Sequence, residues 1–592
     1  MGIRKLMQAL STSGEYCRVG SPSSPRNNTQ SIEHWVIDGP SLVYYAYNNL
    51  QASKASVSHV LGVSRPTYQE VNAAVKLFLF MLELHNIHIE AVFFDGALPE
   101  TKRVTRLERL EKTRREMEQY RRQTLRNGPH IVPAPLPPPQ LPFLVASAIE
   151  SLFASNWARR VKVVPEEADF ACARVAAHDR VSILTNDSDL ALFDIRPESR
   201  IVWLNSLSKR ESTSSWTYLV ASVLYPAKAA EHWHLNSLTR LGFERQQAPA
   251  VSTALILERA RVAIKDTRSE LEYAKFCQLY TIPQCDLALS HSLNGLDPRT
   301  AEFVVQMLEY TPIPHLYLPM LHEDPSRDAS WTYGMAIRQL AYSLCVLAIC
   351  EGTVEVAEYY RRGERITATT VGVLTRDKAV AVAFGLLETL ELSLGEIHNT
   401  GADSVIDWWM LAAVILAKER THSGNQLSLT AFSSLFGLSE DHGGRETRTW
   451  TDMHLAANIQ AILYSLRMLQ QITNYATQWR KTHCLVHLVT QRLTKILAGM
   501  PTVEELFLDV AQLRSQVKVL GGPTIRQMLL NTKQQFPEVW LHECLPQGSV
   551  NKLSKKRENK KTNLHCDSAG QGGQQTSSNP FALLASYNEA SD

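Results

Sequence analysis

No two cysteines in this chain of 592 residues are spaced as CxxC; all nine lie scattered between Cys17 and Cys566. That spacing argues against a zinc site and against a disulfide framework, and it fits reduced thiols in a cytosolic or nuclear protein. Long apolar runs are missing too. Nothing in the sequence is apolar for long enough to span a bilayer, and its start has no signal-peptide core. The opening MGIRKL carries Leu6 where a myristoylation signal needs Ser or Thr. A soluble intracellular protein without a membrane partner is therefore expected. Charge of one sign is also lacking: the net formal charge is +2, so any nucleic-acid footprint must be local.

What the sequence does contain is acid at the ends of strand-like segments. Asp38 closes His34–Asp38, Asp95 closes Ile87–Asp95, and Asp187 and Asp189 follow the run VSILT. Glu167 and Asp169 open an Ala-rich helical segment, Glu167–His178, between the strand candidates Val161–Val164 and Val181–Thr185. Strand, helix and strand in that order form a βαβ unit, hence a parallel sheet with a right-handed crossover. Residues at the carboxyl ends of such strands meet in one crevice. Taken alone, an Asp-Gly after a strand is usually a turn, and acid in a first helical turn is usually a dipole preference. Four such motifs together concentrate negative charge that stays ionised only beside cations. Carboxylate oxygen suits Mg2+ or Mn2+, so metal-dependent phosphate chemistry is the expected class of function.

The rest of the chain divides by composition. Leu77–Leu84 reads as a helix packed on the sheet. Between Lys102 and Arg126 ten basic residues stand against four glutamates in a stretch with few breakers, which predicts a basic helix; a merely solvated helical face is the plainer alternative. Prolines 129, 133, 135, 137, 138, 139 and 142 make residues 127–142 an extended linker. Beyond about Ser215 strand signals become rare, and apolar residues recur at helical spacing in Tyr333–Cys350, Ala379–Leu394, Ser404–Lys418 and Met453–Thr473. The polar stretch from Gln547 reads as disordered. Three parts are expected: an α/β domain with a parallel sheet over 1–214, a mostly α-helical domain over 215–545, and a disordered basic and polar tail over 546–592.

The succession MGI, VIDG, FDGxxPxxK, EADFACA and TNDSDL over residues 1–195 resembles the XPG/flap-endonuclease superfamily. The resemblance implies a PIN-like α/β nuclease domain that cuts phosphodiesters with two divalent ions, Mg2+ with Mn2+ as substitute. It places the metal-binding carboxylates on Asp38, Asp95, Glu167, Asp169, Asp187 and Asp189. Asp169 stands where the pattern more often has Glu, and Glu166 offers an alternative register. A further Asp of the family falls on Glu244 in LeuGlyPheGlu. Lys102 and Arg109 match basic arch residues that reach the scissile phosphate, where a cation stabilises developing charge. Tyr44 matches an aromatic that stacks on a base, the alternative being a core tyrosine. Gly2, Arg103 and Arg106 fall on further substrate-binding positions. The stretch His315–Leu347 resembles the helical region of asteroid-type proteins, although Trp331, Arg338 and Tyr342 also read as helix-packing residues.

The resemblance implies DNA with single-stranded or branched features as the partner, and a role in repair. The run Lys552–Lys561 reads either as a nuclear-localisation signal or as a solvated tail, and the nucleus is the expected compartment. Gln246–Ala263 lacks the glycine of a duplex-gripping helix–hairpin–helix. Two further readings stay open: a nuclease-fold scaffold that binds without cutting, and a PIN-like ribonuclease.

Overall fold

The computed structural model describes residues 3, 5–20, 32–54, 65–127, 139–211, 217–283, 292–349, 355–398, 405–422, 424, 428–438, 449–477 and 484–535. The expected tail, the run Lys552–Lys561 and most of the Pro-rich linker lie outside them. Among the described residues the first sheet contains β1 (Glu15–Val19), β2 (Glu33–Asp38), β3 (Ile87–Asp95), β4 (Val161–Val164), β5 (Ser182–Thr185), β6 (Arg200–Trp203), β7 (Ser208–Glu211) and β8 (Thr217–Leu224). Their order is β1-β8-β6-β5-β2-β3-β4, with β7 paired to β8. From β6 to β4 every pairing is parallel, whereas β8 runs antiparallel to β1, β6 and β7. The chain moves outward from β2 in both directions, so a crevice opens at the carboxyl ends of β2 and β5.

Period-two alternation decides which face each strand residue serves. Trp35 and Ile37 of β2 join the core under the helices Gly39–Lys54, Tyr68–Leu84 and Leu144–Phe153, while Val36 faces the helix Ala168–His178. All three are fully buried, as expected for a parallel strand covered on both sides. Tyr68–Leu84 begins at a capping box in which Thr67 accepts from the Glu70 amide and Glu70 accepts from that of Thr67, satisfying two amides that the helix itself leaves unpaired.

The fold is an α/β domain followed by a mostly helical part. Strands are rare in the latter, not absent: β9 (His315–Tyr317), β10 (Glu355–Arg362) and β11 (Arg365–Gly372) form a small sheet in the order β11-β10-β9. Helices Met335–Ile349, Arg376–His398, Val405–His422 and Trp450–Ala476 occupy the segments with helical periodicity. Trp331, Arg338 and Tyr342 are buried there. Arg338 grips both oxygens of Glu358 at 2.7 and 2.8 Å, and the Tyr342 hydroxyl donates to Glu358 at 2.6 Å.

The two parts share a core. Phe143, just after the prolines, stacks on Tyr464 at 4.6 Å and touches Phe507 at 4.3 Å between ring centres. Asn72 donates to Glu504 at 2.6 Å, and Arg467 pairs with Glu150. The first sheet itself runs past residue 214, since β8 separates β6 from β1.

Candidate active site

Three strand ends converge tightly at the crevice. A Cβ on Gly39 would stand 2.6 Å from the Phe94 ring, and one on Gly96 would stand 2.3 Å from the Val164 carbonyl. The glycine in each Asp-Gly motif is thus required by close approach, which brings Asp38 and Asp95 to neighbouring strand ends. Asp38 accepts hydrogen bonds from the Ser41 hydroxyl and from Thr185 Oγ1, the latter at 2.7 Å. Asp95 accepts from the Ala168 amide at 2.7 Å, so the acid of β3 caps the helix that carries Asp169. Glu167 sits at the N-cap of that helix but turns its carboxylate away from it: Oε2 meets Lys102 Nζ at 2.6 Å, and the buried Oε1 has no hydrogen-bond partner among the described residues. Asp187 accepts from the Asp189 amide at 3.1 Å.

These groups line one cleft of about 1230 Å3, where Asp38, Asp95, Glu167, Asp169 and Asp187 meet Lys102, Tyr44 and Arg109. Asp189 adjoins it. Its Oδ1 accepts from the Ile3 amide at 2.7 Å, which seats the start of the chain against the cluster. Gly2 lies outside the described residues. Glu166 forms an ion pair with Arg174 at 2.5 Å, so Glu167 and Asp169 are the members of that motif at the cleft.

Burial and mutual repulsion set the electrostatics. Burial, with Asp187 and Asp95 adding to it, pushes the Asp38 carboxyl up to about 6 against the bonds from Ser41 and Thr185. Asp95 is also pushed up to about 6 by burial, with Glu167 adding and the Ala168 amide and Lys102 opposing. Asp169 is held well above the carboxylate range by burial, then by Asp187 and Asp38. Burial would lower Lys102, yet Glu167, Asp169 and Asp187 hold its ammonium above the usual value. Lys102 is thus a cation inside a cluster that one amine does not neutralise.

Among the described residues no three His, Cys, Asp or Glu side chains stand close enough together to ligate one ion. The donor chemistry nonetheless fits a hard dication. It is all carboxylate oxygen, its charge is suppressed by burial and by repulsion, and one buried oxygen is unpaired among the described residues.

Other expected residues are placed differently. Arg106 lines the cleft, but it is paired with Glu302 through both oxygens and lies 3.9 Å from the Tyr317 ring centre. Arg103 turns to the Tyr359 hydroxyl and to His315, away from the cleft lining. Glu244 is not brought to the cleft; it pairs with Arg240 one helical turn back, at 2.7 Å. Much of the arch helix Arg103–Asn127 neutralises itself, with Arg114, Arg115 and Arg122 on Glu111 and Glu118. A helical hairpin, Leu238–Gln247 and Thr253–Arg261, forms around a connecting turn without glycine; Arg245 braces the turn through Val251 O at 2.7 Å and Thr253 Oγ1 at 3.0 Å.

Sequence reasoning missed Ser41, Thr185, Tyr280, Arg299 and Tyr317. Ser41 had a local signal, being a hydroxyl three residues after the acid it supports, whereas Thr185 lies 147 positions from Asp38 and had none. Tyr280, whose hydroxyl reaches Asp189 at 3.5 Å, and Arg299 had none.

A family model described as XPG domain containing matches residues 140–373. No curated protein matches the chain. The XPG match supports the XPG/PIN-like nuclease superfamily. It spans Glu167, Asp169, Asp187, Asp189 and the small second sheet, while Asp38 and Asp95 precede it.

Proposed function

We propose that this protein is a structure-specific DNA endonuclease of the XPG superfamily, from its asteroid-type branch, acting in repair in the nucleus. Its substrates are flaps, overhangs or single-strand/double-strand junctions. The observation that carries the reading is the meeting of five carboxylates from separate segments in one cleft beside Lys102. Asp38, Asp95, Glu167, Asp169 and Asp187 would hold two Mg2+ ions, with Mn2+ as substitute and Asp189 supporting from behind. Such a pair of ions activates water and stabilises the leaving oxygen of a phosphodiester.

The chain's own groups orient the strand. Lys102 lies among the carboxylates and would pass from Glu167 to the phosphate, stabilising developing charge. Arg109 lines the cleft from the arch side. Tyr44 offers a ring to a base, a contact worth about 1–3 kcal/mol. Ser41 and Thr185 keep Asp38 oriented.

A second reading, a scaffold that binds nucleic acid without cutting, is favoured by the Lys102–Glu167 pair and by the self-neutralised arch. Purified protein incubated with flap, overhang and single-stranded DNA and RNA, in Mg2+ or EDTA, decides between them. Mg2+-dependent DNA cleavage that Asp95→Asn and Asp187→Asn both abolish supports the endonuclease; binding without cleavage supports the scaffold, and cleavage of RNA alone the ribonuclease.

A further inference from the structure

We infer that the cleft contains a second anion point, built by Arg299 with Arg109 and Tyr44, which holds a phosphodiester of the bound strand next to the one presented to the carboxylates; this rests on the nucleic-acid reading above. Arg299 comes from the helical part, at the start of the helix Pro298–Leu308. Its guanidinium is fixed from behind: Nε donates to Tyr317 O and Nη2 to Pro142 O, each at 3.3 Å. A guanidinium has five N–H donors, and the side chain lines the cleft, so donors remain on that side.

Behind the guanidinium, Tyr464 and Asp297 hold its charge against burial, and each nearby acid has other partners as well. Asp297 accepts from the amides of Arg299 and Thr300 at 2.8 and 3.1 Å and from the Tyr464 hydroxyl. Glu302 is held by Arg106. Across the cleft the arch presents Arg109, which is exposed. Tyr44 lies in the field of both cations: burial raises its hydroxyl, and Arg299 and Arg109 oppose the rise. Six residues of helix after Asp38 carry Tyr44 about 9 Å along the helix axis, one step along a strand whose scissile phosphate sits at the carboxylates. A fixed guanidinium, a second arginine and a phenol facing one gap form the donor set that recognises phosphate.

The test uses the full chain in EDTA and measures binding of fluorescein-labelled oligothymidylate and oligouridylate across a salt series, with separate cleavage assays in Mg2+. Arg299→Gln is expected to weaken binding roughly tenfold and to reduce the salt slope by about one, and Arg299→Lys to restore the slope. Wild-type affinity and slope in a folded Arg299→Gln would overturn the anion point and leave the nuclease reading intact. If the wild-type chain neither binds nor cuts, both readings fall. Should Arg299→Gln not fold, single methylphosphonate linkages scanned along the oligonucleotide read the same contact on the wild-type protein. One sensitive linkage beside the scissile position supports the proposal, and uniform tolerance overturns it.

Discussion

Asp95 carries two duties on one carboxylate, capping the Ala168 amide and adding charge to a crowded cleft. Asparagine keeps the first and removes the second. Asp95→Asn should therefore lower any cleavage by at least about a hundredfold, the scale on which metal-site residues act, while leaving the fold intact. Because burial and Glu167 penalise the charge, the same variant should be more stable than wild type in EDTA, by up to about 3 kcal/mol at neutral pH. Excess Mg2+ should raise the melting temperature of wild type and do so less for the variant; a calorimetric melt reads both. His454 works in the opposite sense. Burial, then Arg327, lowers it from 6.5 to about 4, so its neutral form is native. Its contribution to stability is full above about pH 6.5 and is lost as pH falls toward 4. Since the buried aspartates gain stability in part of that window, the readout is the difference between wild type and His454→Gln, which should shrink on acidification.

At the scale of elements, two contacts decide how the parts are held. The arch helix lays Leu107 and Leu110 against Tyr317, Ala357 and Tyr359 of the second sheet, with Arg106 on Glu302. The double change Leu107→Ala and Leu110→Ala removes part of an apolar seam worth about 1–2 kcal/mol. It should speed tryptic cleavage within the arch without lowering the global melting temperature comparably. The Arg338–Glu358 pair is 0% exposed at both ends, and Arg338 also bonds Trp331 O and Ser465 Oγ at 2.8 and 3.0 Å. Arg338→Met strands a buried carboxylate and should cost about 3–5 kcal/mol in chemical denaturation, whereas Arg338→Met with Glu358→Leu should recover much of that loss.

For the whole molecule, the boundary drawn from composition at residue 214 falls inside the first sheet. A chain ended there lacks β8, which bares β1 and the edge of β6. It also loses the partners of Phe143, Asn72 and Glu150 in the helical part. Such a chain should show no cooperative melt by circular dichroism, and its sheet edges should drive association visible in size exclusion. A cooperative, monomeric melt from that fragment would show that the nuclease-like part is independent of the helical part.

The alternation in HWVID and AVFFD, the helical spacing of Val405–His422 and Trp450–Ala476, and the motif order made the sheet, the long helices and the acidic cluster legible from sequence, because each depends on neighbours in the chain. The strands β9 to β11 were hidden: β9 is short, β11 is part-exposed, β10 is buried without alternation, and β9 and β10 pair across some tens of residues. The basic run 102–126 announced a helix by propensity, but only packing decided that Arg106 would be tied to Glu302 and Arg103 turned to Tyr359. Glu244 sat in a plausible motif and found a nearer partner in Arg240. Composition and order determined which acids this protein places at its strand ends. Tertiary structure alone decided that Arg106 and Arg103 would be drawn to other partners, since a pair such as Arg106–Glu302, 196 positions apart, leaves no periodic trace in the sequence.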